Sequence, residues 1–333
     1  MRLENVLALT HAKLINKPFV NNFENIVFEA KAVKRGDLFL AFNEDEIESA
    51  IFNGAYGIIF DKPLQMSDSE IAWIQVKSLD DALKRLLRFR LIEKEVTTYE
   101  CNEVILKLAL QVITEPNFIV VHSDIRLISK MLWNIEQKST LLFCSAFCTR
   151  DIFTDIKTLS CAPMESIHIV EQTLFETSFI CDNIFYERQL LSPFFIPDLE
   201  KLLYLFKALK VNYRLKKFTQ IDNFQAVFVN KNFEPKEFGA SDKVLIFEQN
   251  RELITSEINF LQKNANWADI VYIFPQTLFE EFSTCNNVYV YKKTQDIFDI
   301  LKTHKFHFAL IAGADKSILS LAQSAPRQLT LDF

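Results

Sequence analysis

Holding a phosphate chain takes glycines close together, so that backbone amides can approach it and turn with positive φ. This chain has five glycines, Gly36, Gly54, Gly57, Gly239 and Gly313, and no two of the last three are neighbours. No phosphate cradle is therefore expected after residue 57. His304 and His307 stand three apart, but spacing supplies no third ligand, so the pair reads as surface histidines at a helix end and no metal site is expected. Cys144 and Cys148, at the end of an apolar run, read as core packing rather than a redox pair. His122 and His168 sit in or beside apolar runs and read as core histidines. No Ser-His-Asp or Cys-His set assembles from spacing. The acid and base groups left at strand ends are Glu29, Lys31 and Glu248, which a cleft between domains could turn to catalysis. Arg85, Arg88 and Arg90 read as solvated or helix-end charges.

Composition narrows the classes. With 333 residues, 49% of them hydrophobic and 24% charged, the chain can bury two or three modest cores. A net charge of −6 gives no general attraction to nucleic acid or anionic lipid, so direct nucleic-acid binding is not expected. The segment Met1 to Asn16 lacks a basic leader pattern, and no apolar run approaches the ~18 residues of a membrane span, which places the expectation in the cytoplasm. Cys101, Cys144, Cys148, Cys161, Cys181 and Cys285 lack paired short spacings and read as buried free thiols. The 32 phenylalanines receive no functional assignment.

The elements that must position these groups follow from periodicity. Two β-rich runs, 26–33 and 37–42, flank a turn at Lys34 to Asp37, followed by a helix over 46–53 and strands at 56–60 and 72–76. Leu79, Ala82, Leu83, Leu86 and Leu87 fall on one face of a helix over 79–93, capped by Ser78 or Asp80. Helices around 100–113, 125–136 and 151–159 alternate with apolar strands at 118–123, 140–146 and 166–170, the pattern of a parallel sheet covered on both faces. An antiparallel excursion over 177–195 precedes an apolar helix at 199–209. Strands at 243–248, 269–274, 288–291 and 308–313, with helices at 255–264 and 294–303, make a second doubly wound unit, and 230–240 reads as a linker.

The run Val33-Lys34-Arg35-Gly36-Asp37-Leu38-Phe39-Leu40-Ala41 is similar to the V-x-x-G-D-L-F-x-A of the Mur ligases' N-terminal, uridine-nucleotide-binding domain. Ala50 to Ile59 resembles that family's A-x-x-x-G-A-x-G-x-x, and Ile74 to Leu83 its closing strand and helix. Past this region the resemblance is one of element order. It implies a multidomain α/β fold of mostly parallel sheets, with domains over 1–93, 94–238 and 239–325 and a tail over 326–333. It makes Glu29, Lys31, Gly36 and Asp37 the candidate ligand-binding positions, and a UDP-muramyl precursor or a cell-wall synthesis protein the implied partner.

The chain departs from that family at the positions that carry its chemistry. Glu29-Ala30-Lys31 stands where the family places Asp-Ser-Arg, and Asn43-Glu44-Asp45-Glu46 is all that remains of its Asp-Gly-His stretch. Where the family has G-x-x-G-K-T/S, the chain reads Thr97-Thr98-Tyr99-Glu100-Cys101-Asn102-Glu103. Phe195-Ile196-Pro197 takes the place of its His-Asn. The leading expectation is a non-catalytic, cytoplasmic binding or scaffolding protein without cofactor, linked to peptidoglycan precursor synthesis. A second reading comes from the C-terminus, where Gln328, Leu329, Leu331 and Phe333 resemble the peptides that dock on the bacterial DNA sliding clamp. A third is an enzyme with a repurposed site between domains.

Overall fold

The computed structural model describes residues 1–320 other than 149, 161–165, 216 and 283–285. The tail over 326–333, with Gln328, Leu329, Leu331 and Phe333, lies outside the described residues, as do Cys161 and Cys285. The described residues form two compact units, one of 1–160 with 208–213 and the other of 166–207 with 214–320. Both are α/β, with mostly parallel sheets flanked by helices.

The first unit opens with α1 (Leu3–Thr10), β1 (Lys13–Leu14), β2 (Ile26–Val27), β3 (Leu38–Leu40), α2 (Ile47–Phe52), β4 (Gly57–Phe60), β5 (Ala72–Gln75) and α3 (Leu79–Glu93). The strands lie in the order β1-β5-β4-β3-β2, all parallel except the β1 edge. Each interior strand presents alternate residues to opposite faces, and both faces are apolar. Phe39, Ile58 and Trp73 face Ile47 and Ala50 of α2, while Leu38, Leu40, Ile59 and Ile74 face α1 and α3. Ser78 caps α3, its hydroxyl accepting from the Asp81 amide at 3.2 Å. The six residues Leu79, Ala82, Leu83, Leu86, Leu87 and Leu91 make the buried stripe of that helix.

A second parallel sheet follows, with β6 (Thr97–Glu100), α4 (Glu103–Val112), β7 (Phe118–Val121), α5 (Ile125–Leu132), β8 (Thr140–Phe143) and β9 (Ile156–Thr158), in the order β7-β8-β6-β9. Its core joins that of the first sheet through α3, so Leu40, Leu87, Ile128 and Phe143 belong to one apolar cluster.

The second unit contains a three-stranded antiparallel sheet, β10 (Ile167–Gln172), β11 (Thr177–Cys181) and β12 (Ile184–Gln189), and α6 (Ile196–Leu209), whose last residues belong to the first unit. Then come β13 (Gln225–Val229), β14 (Lys243–Glu248), α7 (Arg251–Asn264), β15 (Ile270–Pro275), α8 (Phe279–Phe282), β16 (Val288–Tyr291), α9 (Thr294–Thr303) and β17 (Phe308–Ala312). The sheet order is β13-β14-β17-β15-β16, parallel except for β13. No helix among the described residues is long and apolar enough to cross a membrane.

Four expectations fail for local reasons. The run 26–33 is a strand only at Ile26–Val27, after which Ala30–Ala32 forms a 3-10 turn. That turn is pinned by the Ala30 backbone amide donating to the Glu46 carboxylate at 2.8 Å and by the Asn53 side-chain Nδ2 donating to the Ala30 carbonyl at 2.9 Å. The helix expected over 151–159 is a short 3-10 turn followed by β9, because residues 156–158 pair with the open edge of β6 while Phe153 packs 4.4 Å from the Phe143 ring. His122 and His168 are exposed rather than buried: His122 lies 4.3 Å from the Phe147 ring, and His168 sits on the open face of β10 opposite the exposed Ile180. Residues 230–240 connect the paired strands β13 and β14 of one sheet, with the Lys236 amide bonded back to the Phe228 carbonyl at 2.8 Å.

Candidate functional site

The turn before β3 holds two of the sequence-derived candidates, and it is an internally bonded structure. Asp37 is buried, and its carboxylate accepts from the Lys34 amide at 2.8 Å and from both nitrogens of Asn25 at 3.2 Å. Gly36 adopts φ +99°, a conformation L side chains rarely take, and an added Cβ would sit 2.9 Å from the Glu24 Cγ. Its amide donates to the Gly54 carbonyl at 3.0 Å. Gly54 also has φ +100°, and a Cβ there would stand 3.0 Å from the Arg35 Cα, which is backbone and cannot swing aside. Glu29 and Lys31 lie on the exposed side of the adjoining 3-10 turn. Glu29 is ion-paired with Lys130 of α5, whose hydrogen bond and charge hold its carboxyl below the usual range.

Between β6 and α4 the chain spends two residues, Cys101 and Asn102. The Cys101 amide donates to the Phe143 carbonyl at 2.9 Å, and the Asn102 side chain caps α4 by accepting from the Ile105 amide at 2.8 Å. On either side, Glu100 meets Arg150 at 3.2 Å, and Glu103 is ion-paired with Lys107 one turn along the helix. Strand, tight turn and capped helix thus close on themselves.

Glu248 ends β14 fully buried, and its oxygens accept from the Asn223 side chain at 3.0 Å, the Phe224 amide at 2.9 Å and the Asn250 amide at 2.6 Å. Beside it lies Glu257 of α7, also fully buried, with no N–H or hydroxyl donor on either oxygen. Burial first, then the charge of Glu248 and a hydrogen bond with it, push the Glu257 carboxyl well above the usual range.

An open cavity of about 720 Å³ lies elsewhere in the second unit, at the N-terminal ends of β14 and β17. Its floor is Val244 and Phe308; the β10–β11 turn supplies Phe175 and Glu176, and the end of α7 supplies Phe260 and Asn264. Phe238, Asp242 and Trp267 come from the loops around its rim. The rings touch one another, with Phe175 to Phe308 at 6.1 Å, Phe228 to Phe238 at 4.8 Å and Trp267 to Phe308 at 6.0 Å between centroids. His307 also lines it, its Nδ1 accepting from the Asp269 amide at 2.9 Å, which leaves the proton of the neutral ring on Nε2. His304, by contrast, closes the end of α9, its Nδ1 2.8 Å from the Ile300 carbonyl.

Nucleophilic chemistry finds little support in the thiols. Cys101, Cys144, Cys148 and Cys181 are buried thiols outside any disulfide, and burial pushes Cys148 and Cys181 up to about 11. Among the described residues no three His, Cys, Asp or Glu side chains converge where they could hold a metal ion. The cavity's lining is not legible in the sequence because its residues come from segments scattered between Gln172 and Phe308. A signal was available in Phe238 and Trp267, lone aromatics in the polar stretches Lys236 to Asp242 and Asn264 to Asp269.

The described residues make a multidomain α/β fold with three largely parallel sheets flanked by helices. Neither protein-family models nor curated proteins match the sequence. Among solved structures it is similar to MurF from Acinetobacter baumannii, with a TM-score of 0.53 at 9% identity over 97% of each chain. It is also similar to the MurF ligase from Thermotoga maritima in complex with ADP, with a TM-score of 0.52 at 13% identity over 90% of this chain and 96% of that one. At such identities the shared property is the fold.

Proposed function

We propose that this chain is a non-catalytic protein on the Mur ligase fold, serving as a binding or scaffolding component linked to peptidoglycan precursor synthesis. The turn between β6 and α4 carries the reading. ATP-dependent ligation through an acyl phosphate needs backbone amides and a lysine around the β- and γ-phosphates and a hydroxyl for Mg²⁺. The turn here has two residues, contains neither glycine nor lysine, and commits the Cys101 amide to Phe143 and the Ile105 amide to Asn102. Glu100 and Glu103 at its ends are engaged with Arg150 and Lys107, so the nearby cations already serve carboxylates of the fold. These residues do not fit Mg-ATP.

The link to precursor synthesis is supported by the fold and by the turn at residues 33–41, beside which Glu29 and Lys31 remain exposed as the groups a ligand would meet. A thermal-shift series with UDP-N-acetylmuramic acid and its peptide derivatives at about 1 mM tests it. A ligand that binds only the native state at 100 times its Kd adds roughly 2.7 kcal/mol, a shift of several degrees. Such a shift, lost in the Glu29→Ala/Lys31→Ala double variant, supports precursor binding at this face. No shift with any of these compounds contradicts it.

A further inference from the structure

We infer that the aromatic cavity of the second unit is a binding site for an organic cation with a flat, apolar body. This goes beyond the proposed function and stands independently of it. A volume of about 720 Å³ falls within the range of small-molecule sites, roughly 300–1,000 Å³. Its walls are rings whose faces carry partial negative charge, the surface that attracts cations and planar π systems. Trp267 is 69% exposed and Phe238 38%, both turned to this concave surface rather than packed in a core. A ligand seated there would remove from water aromatic area that the fold itself leaves wet.

Charge selects the sign of the ligand. The ionisable lining consists of Glu176, Asp242, Arg188 and His307, whose Nδ1 accepts from the Asp269 amide. Arg188 is already engaged with Glu176 at 3.6 Å. Asp242 makes no ion pair among the described residues, so the cavity presents one uncompensated carboxylate at an aromatic wall. An anion would face that carboxylate and the ring faces together. A cation gains from both.

The chain offers its own reporter. Of its three tryptophans, Trp73 and Trp133 are buried in the first unit, leaving Trp267 as the one at the cavity. Titration of the full chain with benzyltrimethylammonium should quench tryptophan fluorescence saturably below about 10 mM, while its neutral isostere neopentylbenzene binds about tenfold more weakly. Calorimetry on two variants at exposed positions, each checked for an unchanged melting transition, completes the test. Asp242→Asn should remove the preference for the cation and Trp267→Ala should weaken both compounds. Absence of saturable quenching overturns the site. Equal binding of cation and isostere, or a preference unchanged in Asp242→Asn, overturns the assignment of ligand class.

Discussion

Glu257 is the residue whose chemistry is most out of place. A carboxyl with no N–H donor, packed beside the Glu248 carboxyl, meets burial and a like charge, both of which favour its neutral form. Its folded pKa is raised above the unfolded value, so its contribution to stability is fully present below about 4.5 and is lost as pH rises through the folded pKa. Glu257→Gln keeps the shape and removes the titration. The variant should match the parent near pH 4 and exceed it increasingly at higher pH, as read by melting temperature across pH 4 to 9. Asp37 is the opposite case, a buried carboxyl fully supplied with donors. Asp37→Ala strands the amides of Lys34 and Asn25 and should cost about 2 kcal/mol in denaturant unfolding. Both effects belong to the fold rather than to a ligand.

Among elements, those that obey a single dominant signal were legible. Helix α3 has the limits read from its leucine stripe and its Ser78 cap, and Ser78→Ala should lower stability by about 1 kcal/mol in the same unfolding measurement. Strand β16 and helix α9 also coincide with their sequence readings. What was not legible depends on partners distant in the chain. Residues 156–158 carry no strong strand pattern and become β9 because β6 has an open edge. β13, absent from the periodicity reading, lies antiparallel to β14 at the edge of the sheet. The phenylalanines given no role supply the cavity wall, since ring contacts such as Phe175 with Phe228 join residues far apart in sequence. The motif that carried the family resemblance proves to be a turn-building motif. Gly36 and Gly54 take positive φ and are tied by one backbone hydrogen bond, so Gly36→Ala should cost about 1–2 kcal/mol through backbone strain alone.

Across the whole molecule, the two units repeat one architectural idea, parallel strands with helices on their faces, and the likeness to the MurF structures extends over nearly the full chain. Within that architecture the strand-to-helix turn after β6 is closed by its own hydrogen bonds, whereas the second unit keeps an open aromatic cavity. A fold that specifies three sheets does not specify a reaction, and loops can lose one ligand while another surface gains one. The proposed absence of nucleotide binding belongs to this scale. Calorimetric titration of the full chain with Mg-ATP, carried to about 1 mM and paired with an assay for released phosphate, tests it most directly. The account predicts only heats of dilution and no phosphate; saturable heat near one nucleotide per chain, or phosphate release abolished by Glu100→Ala/Glu103→Ala, would contradict it.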